Sequence, residues 1–198
     1  QTYRFNNKLY TTMIIIFSGP SGVGKSTIIN ELLNHINLYF SISHTTRQKR
    51  NNEVDGKDYY FVSLKNFKEL VKENYFIEYE KYGTDYYGTS KEQLVNDYKI
   101  TVLDLEVNGA IKLLAENNDF IGIFIDIDDD ELIKRLNDRG HDNNFIQERM
   151  KLAAEQRSKI NDFDYVVDNK DINTTISNIL NIIYNLEVSW LNHQLKNY

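Results

Sequence analysis

Short apolar runs recur along the chain, and stretches with helical periodicity separate them. The run 13–17 is continuous and rich in β-branched residues, and a turn signal at 18–24 follows it. Such a run is typical of a strand that is buried on both faces of a parallel sheet. The runs 100–103, 121–125 and 165–167 predict three further strands.

The segments between these runs predict helices. We expect them at about 25–33, 107–116, 131–138 and 145–160, and a long one from 174 onward. Strands that alternate with helices form βαβ units, and these units build a parallel sheet with helices on both faces. The pattern therefore predicts an α/β fold.

The region 40–98 has a different pattern. It is rich in Tyr and Phe and contains short alternating runs, such as 59–62 and 75–79. We interpret it as a mixed, partly antiparallel insertion in the α/β core. Residues 1–12 precede the first strand, and we interpret them as an N-terminal extension.

Composition limits the classes of protein that need to be considered. A length of 198 residues corresponds to one domain, or to one core that carries insertions. The absence of cysteine excludes a disulfide framework, a Cys-ligated zinc site and a thiol nucleophile. The formal net charge of −6 argues against a general nucleic-acid binder, although positive charge can still be concentrated locally for a small phosphate-bearing molecule.

The same observations bear on the cellular location. No apolar run approaches the ~20 residues that a membrane-spanning helix needs, so we expect no membrane association. We expect a cytoplasmic protein, in agreement with the lack of cysteine. The chain begins at Gln1, so an organellar targeting segment stays an open alternative.

A glycine-rich segment follows the first predicted strand. Residues 19–26 read Gly-Pro-Ser-Gly-Val-Gly-Lys-Ser and fit the pattern G-x-x-x-x-G-K-[ST]. In this pattern, backbone N–H groups surround a phosphate, the lysine reaches the β- and γ-phosphates, and the hydroxyl ligates Mg²⁺. The alternative is a chance glycine-rich turn. The strand before the segment and the helix after it favour the phosphate-binding loop.

Asp104 follows the apolar run 100–103 directly. Strand ends in open α/β sheets face the ligand crevice, so this carboxylate can hold the water shell of a metal ion. Alternatively, Asp104 is the N-cap of the next helix.

Two arginines and a lysine lie close together at 47–50, beside the hydroxyl residues of 41–46. In an acidic chain this cluster is either an anion site, because the guanidinium fork binds phosphate in a bidentate manner, or a solvated basic loop.

Several motifs occur in order along the chain. They lie at 19–27, 43–53, 56–62, 76–79, 86–89 and 103–104. In this set the chain resembles the guanylate kinases, which transfer the γ-phosphoryl group of ATP to GMP and give ADP and GDP. The resemblance extends from about residue 13 to about residue 184. It implies a P-loop parallel sheet flanked by helices, a mixed α+β acceptor-binding insertion and a helical lid.

The resemblance assigns residues to each substrate. It implies that ATP binds to Gly19, Pro20, Ser21, Gly22, Val23, Gly24, Lys25, Ser26, Thr27, Arg135, Arg139 and Asn169. It implies that GMP binds to Ser43, Arg47, Arg50, Tyr59, Glu78, Tyr87, Thr89 and Asp104. The catalytic residues implied are Lys25, Arg47, Arg135 and Arg149. The implied cofactor is Mg²⁺, with Ser26 and, through water, Asp104 as its ligands.

The chemistry of guanine agrees with this assignment. Guanine presents N1–H and an exocyclic amine, and one ionised carboxylate such as Glu78 accepts both hydrogen bonds. Adenine presents an acceptor at N1 and would leave the carboxylate unpaired. A hydroxyl of Ser43 or Thr89 can donate to O6. For Tyr59 and Tyr87 the competing interpretation is ordinary packing in a sheet.

Arg135 and Arg139 are four residues apart on one predicted helical face, and Arg149 lies in the next helix. They resemble the lid arginines that cover the ATP phosphates in the family, where positioned charge supplies most of the catalysis. The alternative is surface arginines that pair with the nearby carboxylates, which are Asp138, Asp142 and Glu148.

We therefore expect one guanylate kinase-like domain over 1–198. Its core covers about 13–39, 99–131 and 151–198, the GMP-binding insertion covers about 40–98, and the lid covers about 132–150. The substrates would be ATP and GMP, with dGMP as an open possibility, and the protein would be a monomer or a homodimer. The alternatives are a guanylate kinase-like protein-interaction module without activity, and a P-loop kinase for another nucleoside monophosphate.

The chain departs from the family pattern at Lys49, Asn52, Glu106, Asn108 and the acidic segment 126–130, and in the residues next to Asn169.

Overall fold

The elements follow the order that the apolar runs predict. The computed structural model describes residues 3–5, 8–10 and 12–196. The strands are β1 (Tyr3–Phe5), β2 (Lys8–Tyr10), β3 (Met13–Ser18), β4 (Tyr39–Phe40), β5 (His44–Thr45), β6 (Tyr60–Phe61), β7 (Phe76–Tyr82), β8 (Asp85–Ser90), β9 (Ile100–Asp104), β10 (Ile121–Asp126) and β11 (Tyr165–Asp168). The α-helices are α1 (Lys25–His35), α2 (Leu64–Lys72), α3 (Val107–Glu116), α4 (Asp129–Asp138), α5 (Asn143–Arg157) and α6 (Ile172–Lys196). Short 3-10 helices lie at Lys91–Leu94 and Ile160–Asp162.

Helices α4, α5 and α6 begin two residues earlier than the apolar periodicity predicts. Each follows an aspartate whose carboxylate accepts a hydrogen bond from a backbone N–H three residues later. The pairs are Asp128 with Glu131, Asp142 with Phe145, and Asp171 with Thr174. These caps satisfy N–H groups that the first turn of a helix leaves unpaired, so polar residues extend each helix beyond its apolar face.

The structure divides into two units. Unit 1 contains Gln1–Ser18 and Asn37–Gly122, and unit 2 contains Gly19–Ile36 and Ile123–Tyr198.

Unit 1 contains three parallel strands in the order β3-β9-β4. Ile15 pairs with Val102, and Phe17 pairs with Asp104. The side chains of Ile15, Phe17 and Val102 are completely buried, as expected for strands covered on both faces.

The insertion forms a second sheet in unit 1. Its strand order is β6-β5-β8-β7, with β5 parallel to β6 and the remaining pairs antiparallel. The mixed character predicted for this region is therefore confirmed. Helix α3 packs on both β3 and β7, so it lies against both sheets of this unit.

Unit 2 contains the parallel pair β10 and β11, in which Ile125 pairs with Val167. Helix α6 packs on α1 and on β11, and α4 packs on α5. The buried side chains include Ile28, Leu132 and Ile179. Parallel strands flanked by helices, together with the mixed sheet of unit 1, confirm the predicted α/β fold class.

In the segment interpreted as an extension, β1 and β2 form an antiparallel pair. None of the helices formed by the described residues is both long enough and apolar enough to cross a bilayer.

The mixed sheet depends on an aromatic contact, and this gives a test of its packing. Phe67 of α2 is 1% exposed, and its ring stacks on Phe76 with centroids 4.6 Å apart. We expect Phe67→Ala to lower the free energy of unfolding by about 3–5 kcal/mol, because a large cavity replaces the ring. Leu64→Ala is the control on the same helix, where the side chain is 46% exposed, and we expect a loss below about 1 kcal/mol. Urea denaturation measures both values, and equal losses would contradict this account of the packing.

Candidate active site

The segment after β3 is a tight loop that ends in a helix. Gly19, Gly22 and Gly24 all have positive φ angles, of 135°, 102° and 102°. The N–H of Val23 donates to the carbonyl of Pro20 at 3.3 Å and closes a turn. The loop therefore has the glycine-dependent conformation that the phosphate-binding pattern predicts.

Two of these glycines have no room for a side chain. A Cβ at Gly19 would lie 2.0 Å from the carbonyl oxygen of Ile125, and one at Gly24 would lie 2.5 Å from Nδ2 of Asn169. Both contacts are closer than real Cβ atoms approach, and both φ angles disfavour other residues. The spacing of the glycines is therefore required by the backbone.

Helix α1 begins at Lys25 without a side-chain cap, because Gly24 is the N-cap residue. The uncapped N–H groups and the helix dipole favour an anion at this end. Nζ of Lys25 donates to the carbonyl of Gly19 at 2.9 Å, so the lysine lies across the loop. Ser26 is exposed in the first turn, where its hydroxyl can reach a ligand.

Arg135 and Asn169 hold the loop from outside. Arg135 donates from NH1 to the carbonyl of Val23 at 3.0 Å and from NH2 to the carbonyl of Asn169 at 2.8 Å. The side chain of Asn169 also donates to the carbonyl of Val23, at 2.7 Å. Two predicted ATP-binding residues thus converge on one backbone carbonyl of the loop.

The three lid arginines have different surroundings. Arg135 forms an ion pair with Glu131 at 3.0 Å, and Glu131 is not among the carboxylates that the surface-arginine interpretation named. Arg139 is the exposed C-cap residue of α4. The guanidinium carbon of Arg149 lies 4.7 Å from the centre of the Phe145 ring. The roles of these arginines toward ATP stay predictions.

The acidic segment 126–130 is one of the departures from the family pattern. Its carboxylates form ion pairs and a helix cap. Nε of Arg157 in α5 lies 2.9 Å from Oδ2 of Asp126 at the end of β10, and Arg157 also pairs with Asp129 in the first turn of α4. Asp128 caps α4. One arginine thus compensates two of these negative charges, and a third carboxylate serves the start of a helix.

In unit 1 the three residues predicted to bind guanine form one hydrogen-bonded chain, which we call the base site (Ser43, Glu78 and Thr89). The N–H of Thr89 donates to Oε1 of Glu78 at 3.1 Å. The hydroxyls of Thr89 and Ser43 are 3.2 Å apart. Strands β7 and β8 bring two of these residues together, because Glu78 pairs with Thr89 in their ladder.

Glu78 is only 8% exposed. Burial raises the pKa of its carboxyl to about 7, against the hydrogen bonds from Thr89, which lower it. A Cβ at Gly109 would lie 2.9 Å from Oε2 of Glu78, so the carboxylate lies directly against the first turn of α3. A buried carboxylate that titrates near neutral pH is a strong candidate for a ligand-binding group.

The predicted acceptor phosphate site (Arg47, Arg50, Tyr59 and Tyr87) lies in the same unit. The guanidinium carbon of Arg47 lies 5.5 Å from the ring centre of Tyr59, and the rings of Tyr59 and Tyr87 meet edge to face at 5.9 Å. Burial, followed by the nearby carboxylate of Asp104, raises the pKa of Tyr59 above its ordinary value. The structure therefore brings the two tyrosines, Arg47 and Asp104 into one region.

The basic cluster at 47–50 contains two environments. Arg47 is 16% exposed and forms a bidentate pair with Glu53, with distances of 3.1 and 2.7 Å. Arg50 is 71% exposed and lies 4.0 Å from the same carboxylate. Hydrogen bonding to Glu53 raises the pKa of Arg47. Arg47 is thus held by a carboxylate, whereas Lys49 and Arg50 are exposed, and the role of the cluster toward an anion stays a prediction.

For Asp104, the N-cap interpretation is wrong. Helix α3 begins at Val107, and its N-cap residue is Glu106. Asp104 is instead the last residue of β9, opposite Phe17 in the ladder. Its role toward a metal ion stays a prediction.

Sequence reasoning gave no role to Glu53, which supports the acceptor phosphate site. Its carboxylate orients Arg47, and it also accepts the backbone N–H of Arg50 at 2.8 Å. The spacing of Arg47, Arg50 and Glu53 at intervals of three was a signal that could have indicated this group.

Gln93 is a second residue that sequence reasoning missed. Its buried Oε1 accepts from the Tyr39 hydroxyl and from the N–H of Ile42, both at 2.8 Å. It therefore anchors the chain just before Ser43 of the base site. No local pattern indicates this role, because the contact joins residues about fifty positions apart.

Few carboxylates are gathered for a metal ion. Among the described residues, no three His, Cys, Asp or Glu side chains form a cluster that could hold one. Mg²⁺ usually keeps several waters and takes one or two protein oxygens together with substrate phosphates. The exposed hydroxyl of Ser26 beside an uncapped helix N-terminus fits this mode of binding, and a dedicated protein cage is not required.

A phosphate loop that opens a helix on an α/β fold defines the class of P-loop nucleotide-binding proteins. The family model described as guanylate kinase matches residues 11–186. The guanylate kinase of Rickettsia prowazekii is 43% identical over 186 residues, which cover 91% of this chain and 93% of the relative. That of Blochmanniella floridana is 38% identical, with 89% and 88% covered. The crystal structure of the Anaplasma phagocytophilum guanylate kinase has a TM-score of 0.73 at 32% identity, with 88% and 85% covered. This chain belongs to the guanylate kinase family, as its ordered motifs predict.

The buried carboxyl of Glu78 gives a test by pH. Its pKa is raised from 4.5 to about 7, so the folded state keeps a proton that the unfolded state releases in this window. Stability from this group is therefore complete below pH 4.5 and is lost as the pH rises through about 7. At about 1.4 kcal/mol per pKa unit, the loss is about 3 kcal/mol.

Urea denaturation of the wild type and of Glu78→Gln between pH 4.5 and pH 8 measures this loss, because the other titrating groups cancel in the difference. We expect the wild type to lose stability relative to the variant as the pH rises. A difference that is independent of pH would contradict the raised pKa.

Proposed function

We propose that this protein transfers the γ-phosphoryl group of ATP to GMP and gives ADP and GDP. The observation that carries this proposal is the base site, where a buried carboxylate, a backbone N–H and two hydroxyls form a continuous chain. Membership in the guanylate kinase family supports the same reaction.

The base site suits guanine. Ionised Glu78 accepts hydrogen bonds from N1–H and from the exocyclic amine, and the hydroxyl of Ser43 or Thr89 donates to O6. Because burial raises the pKa of Glu78 to about 7, the two donors of guanine are needed to stabilise its charge. A base that presents an acceptor to this carboxylate is rejected, since the buried group would stay unpaired.

The phosphate of GMP binds at the acceptor phosphate site. Arg47 is oriented by Glu53 and is partly buried, so it loses little freedom when it binds an anion. The hydroxyls of Tyr59 and Tyr87 donate to the phosphate, and exposed Arg50 turns toward it from solvent.

ATP binds at residues 19–27, where the backbone N–H groups and the N-terminus of α1 surround its phosphates. Lys25 reaches the β- and γ-phosphates. Arg139 and Arg149 neutralise charge that develops on the phosphates during transfer.

Two residues contribute to ATP binding indirectly, because they hold the phosphate loop in place. Arg135 and Asn169 fix its backbone through the carbonyl of Val23, and this keeps the N–H groups directed at the phosphates. In the proposed complex Asn169 also lies beside the adenine, and the positive charge of Arg135 favours binding of the phosphates.

When bound with ATP, Mg²⁺ would be held by the Ser26 hydroxyl and, through water, by Asp104, and it would neutralise phosphate charge. Asp104 lies near Tyr59 and so also contributes to the GMP side. The side chains of the protein orient both substrates and exclude water. No general base is required, because the phosphate of GMP is already an anion.

The domain scheme is part of this proposal. Residues 40–98 would close on GMP, and residues 132–150 would act as the lid on ATP. We also propose a cytoplasmic location, where both nucleotides are available. An inactive protein-interaction module is the less suitable alternative, because the phosphate loop retains its full glycine spacing and Lys25.

The role of Glu78 is tested by a charge-removing substitution. In a coupled assay with ATP, GMP and saturating Mg²⁺, we expect Glu78→Gln to lower kcat/KM for GMP by at least about 100-fold, because an amide donor then faces the donors of guanine. The KM for ATP should change less than about twofold.

Glu73→Gln is the control for this test, since Glu73 is an exposed glutamate in the same unit. It should behave as the wild type. A wild type without turnover of GMP would refute the proposed function, and equal losses toward both substrates would refute the assignment of guanine to Glu78.

The hydrogen bonds from Arg135 to the carbonyls of Val23 and Asn169 are tested by a substitution that keeps the positive charge. We expect both Arg135→Ala and Arg135→Lys to raise the KM for ATP by about tenfold, because an ammonium group cannot bridge the carbonyls of Val23 and Asn169 as the guanidinium does. Lys134→Ala on the same helix is the control. If Arg135→Lys retained the wild-type KM, charge alone would explain the role of Arg135.

A further inference from the structure

The N-terminus of helix α3 is not capped by its own N-cap side chain. Glu106 occupies the N-cap position but makes no capping hydrogen bond with its side chain, and the first turn contains no acidic residue. The first N–H groups of a helix have no partner within the helix and need acceptors from elsewhere.

Glu80 of strand β7 supplies the acceptor. Its Oε2 accepts the N–H of Gly109 at 3.0 Å, and its Oε1 accepts from the side-chain amide of Asn108 at 3.0 Å. Gly109 is the third residue of α3, and this is one of the two positions whose N–H an ordinary N-cap side chain binds. Glu80 therefore caps α3 from another element, with a negative charge at the positive end of the helix.

The same turn lies against the carboxylate of the base site. Glu78 and Glu80 are two residues apart on β7, so their side chains lie on one face of the strand. A Cβ at Gly109 would lie 2.9 Å from Oε2 of Glu78 and 3.5 Å from Oε2 of Glu80. Both carboxylates thus surround the backbone of one glycine, but the hydrogen bond from its N–H goes to Glu80.

We infer that Glu80 is a positioning residue of the base site: it caps α3 and leaves the neighbouring carboxylate of Glu78 available for the base. This inference rests on the proposed function. Without Glu80, the N–H of Gly109 loses its acceptor, and the carboxylate of Glu78 lies beside it. Glu78 would turn to cap the helix and would no longer present its oxygens to guanine.

A substitution series tests this inference. Glu80→Ala removes the acceptor, whereas Glu80→Gln keeps one acceptor oxygen for Gly109 and removes the charge. Glu116→Ala is the matched control, because it removes an exposed carboxylate from the last residue of the same helix. The substrates are GMP and inosine monophosphate, which lacks the exocyclic amine that Glu78 is proposed to bind.

We expect Glu80→Ala to lower the preference for GMP over inosine monophosphate, measured as the ratio of kcat/KM values, by about tenfold. The KM for ATP should not change. Glu80→Gln should retain most of the preference, and Glu116→Ala should behave as the wild type. A preference that survives in Glu80→Ala, or an equal loss toward ATP, would overturn the inference.

The charge of Glu80 gives a second measurement. The groups that face Glu78 are Glu80 on its own strand, Lys112 on α3 and Thr89 on β8. Because the charge of Glu80 opposes ionisation of Glu78, the acidic limb of the kcat/KM profile for GMP should move to lower pH in Glu80→Gln. An unchanged profile would contradict the proximity of the two carboxylates in solution.

A third measurement does not depend on turnover. Amide hydrogen exchange at 107–109 should be faster in Glu80→Ala than in the wild type, because Glu78 replaces the cap only partly. Unchanged exchange, together with an unchanged pKa of Glu78 by NMR titration, would overturn the positioning role even if the protein did not phosphorylate GMP. Absence of GMP turnover in the wild type alone would refute the proposed function and not the cap.

Discussion

The burial of the Glu78 carboxylate is the constraint on which the base site depends. A buried charge is costly unless it is paired, and here burial outweighs the hydrogen bonds from Thr89 and leaves the ionisation of Glu78 incomplete near neutral pH. In the proposed function, guanine supplies the missing donors. The insertion, with its short strands and aromatic packing, holds this carboxylate in place against the first turn of α3.

Backbone geometry imposes a comparable constraint in unit 2. The carbonyl of Val23 accepts from both Arg135 and Asn169, which lie far from the phosphate loop in sequence. The glycine at position 24 permits this approach, because a side chain there would overlap Asn169. The hydrogen bonds of Arg47 and Arg135 fix where their positive charges lie, and in the proposed function these charges bind phosphates.

Local patterns in the sequence predicted most of the strands and helices. The strand over 13–17 and the helix over 107–116 were predictable, since continuous burial and helical periodicity are properties of consecutive residues. The starts of α4, α5 and α6 were not, because aspartate caps extend each helix past its apolar face. The partners of Arg47 and Arg135 depend on side-chain directions that sequence spacing does not specify.

The amino acids in their order are enough to specify the α/β class and the phosphate loop at 19–26 and to predict a set of acceptor residues, because this chemistry requires particular residue types at particular spacings. The folded chain was needed to establish three further points: Asp104 ends a strand and does not cap a helix, Gln93 anchors the chain before the base site, and Glu80 caps α3 beside Glu78. These contacts join residues from separate elements, and such hydrogen bonds form only when packing brings donor and acceptor together.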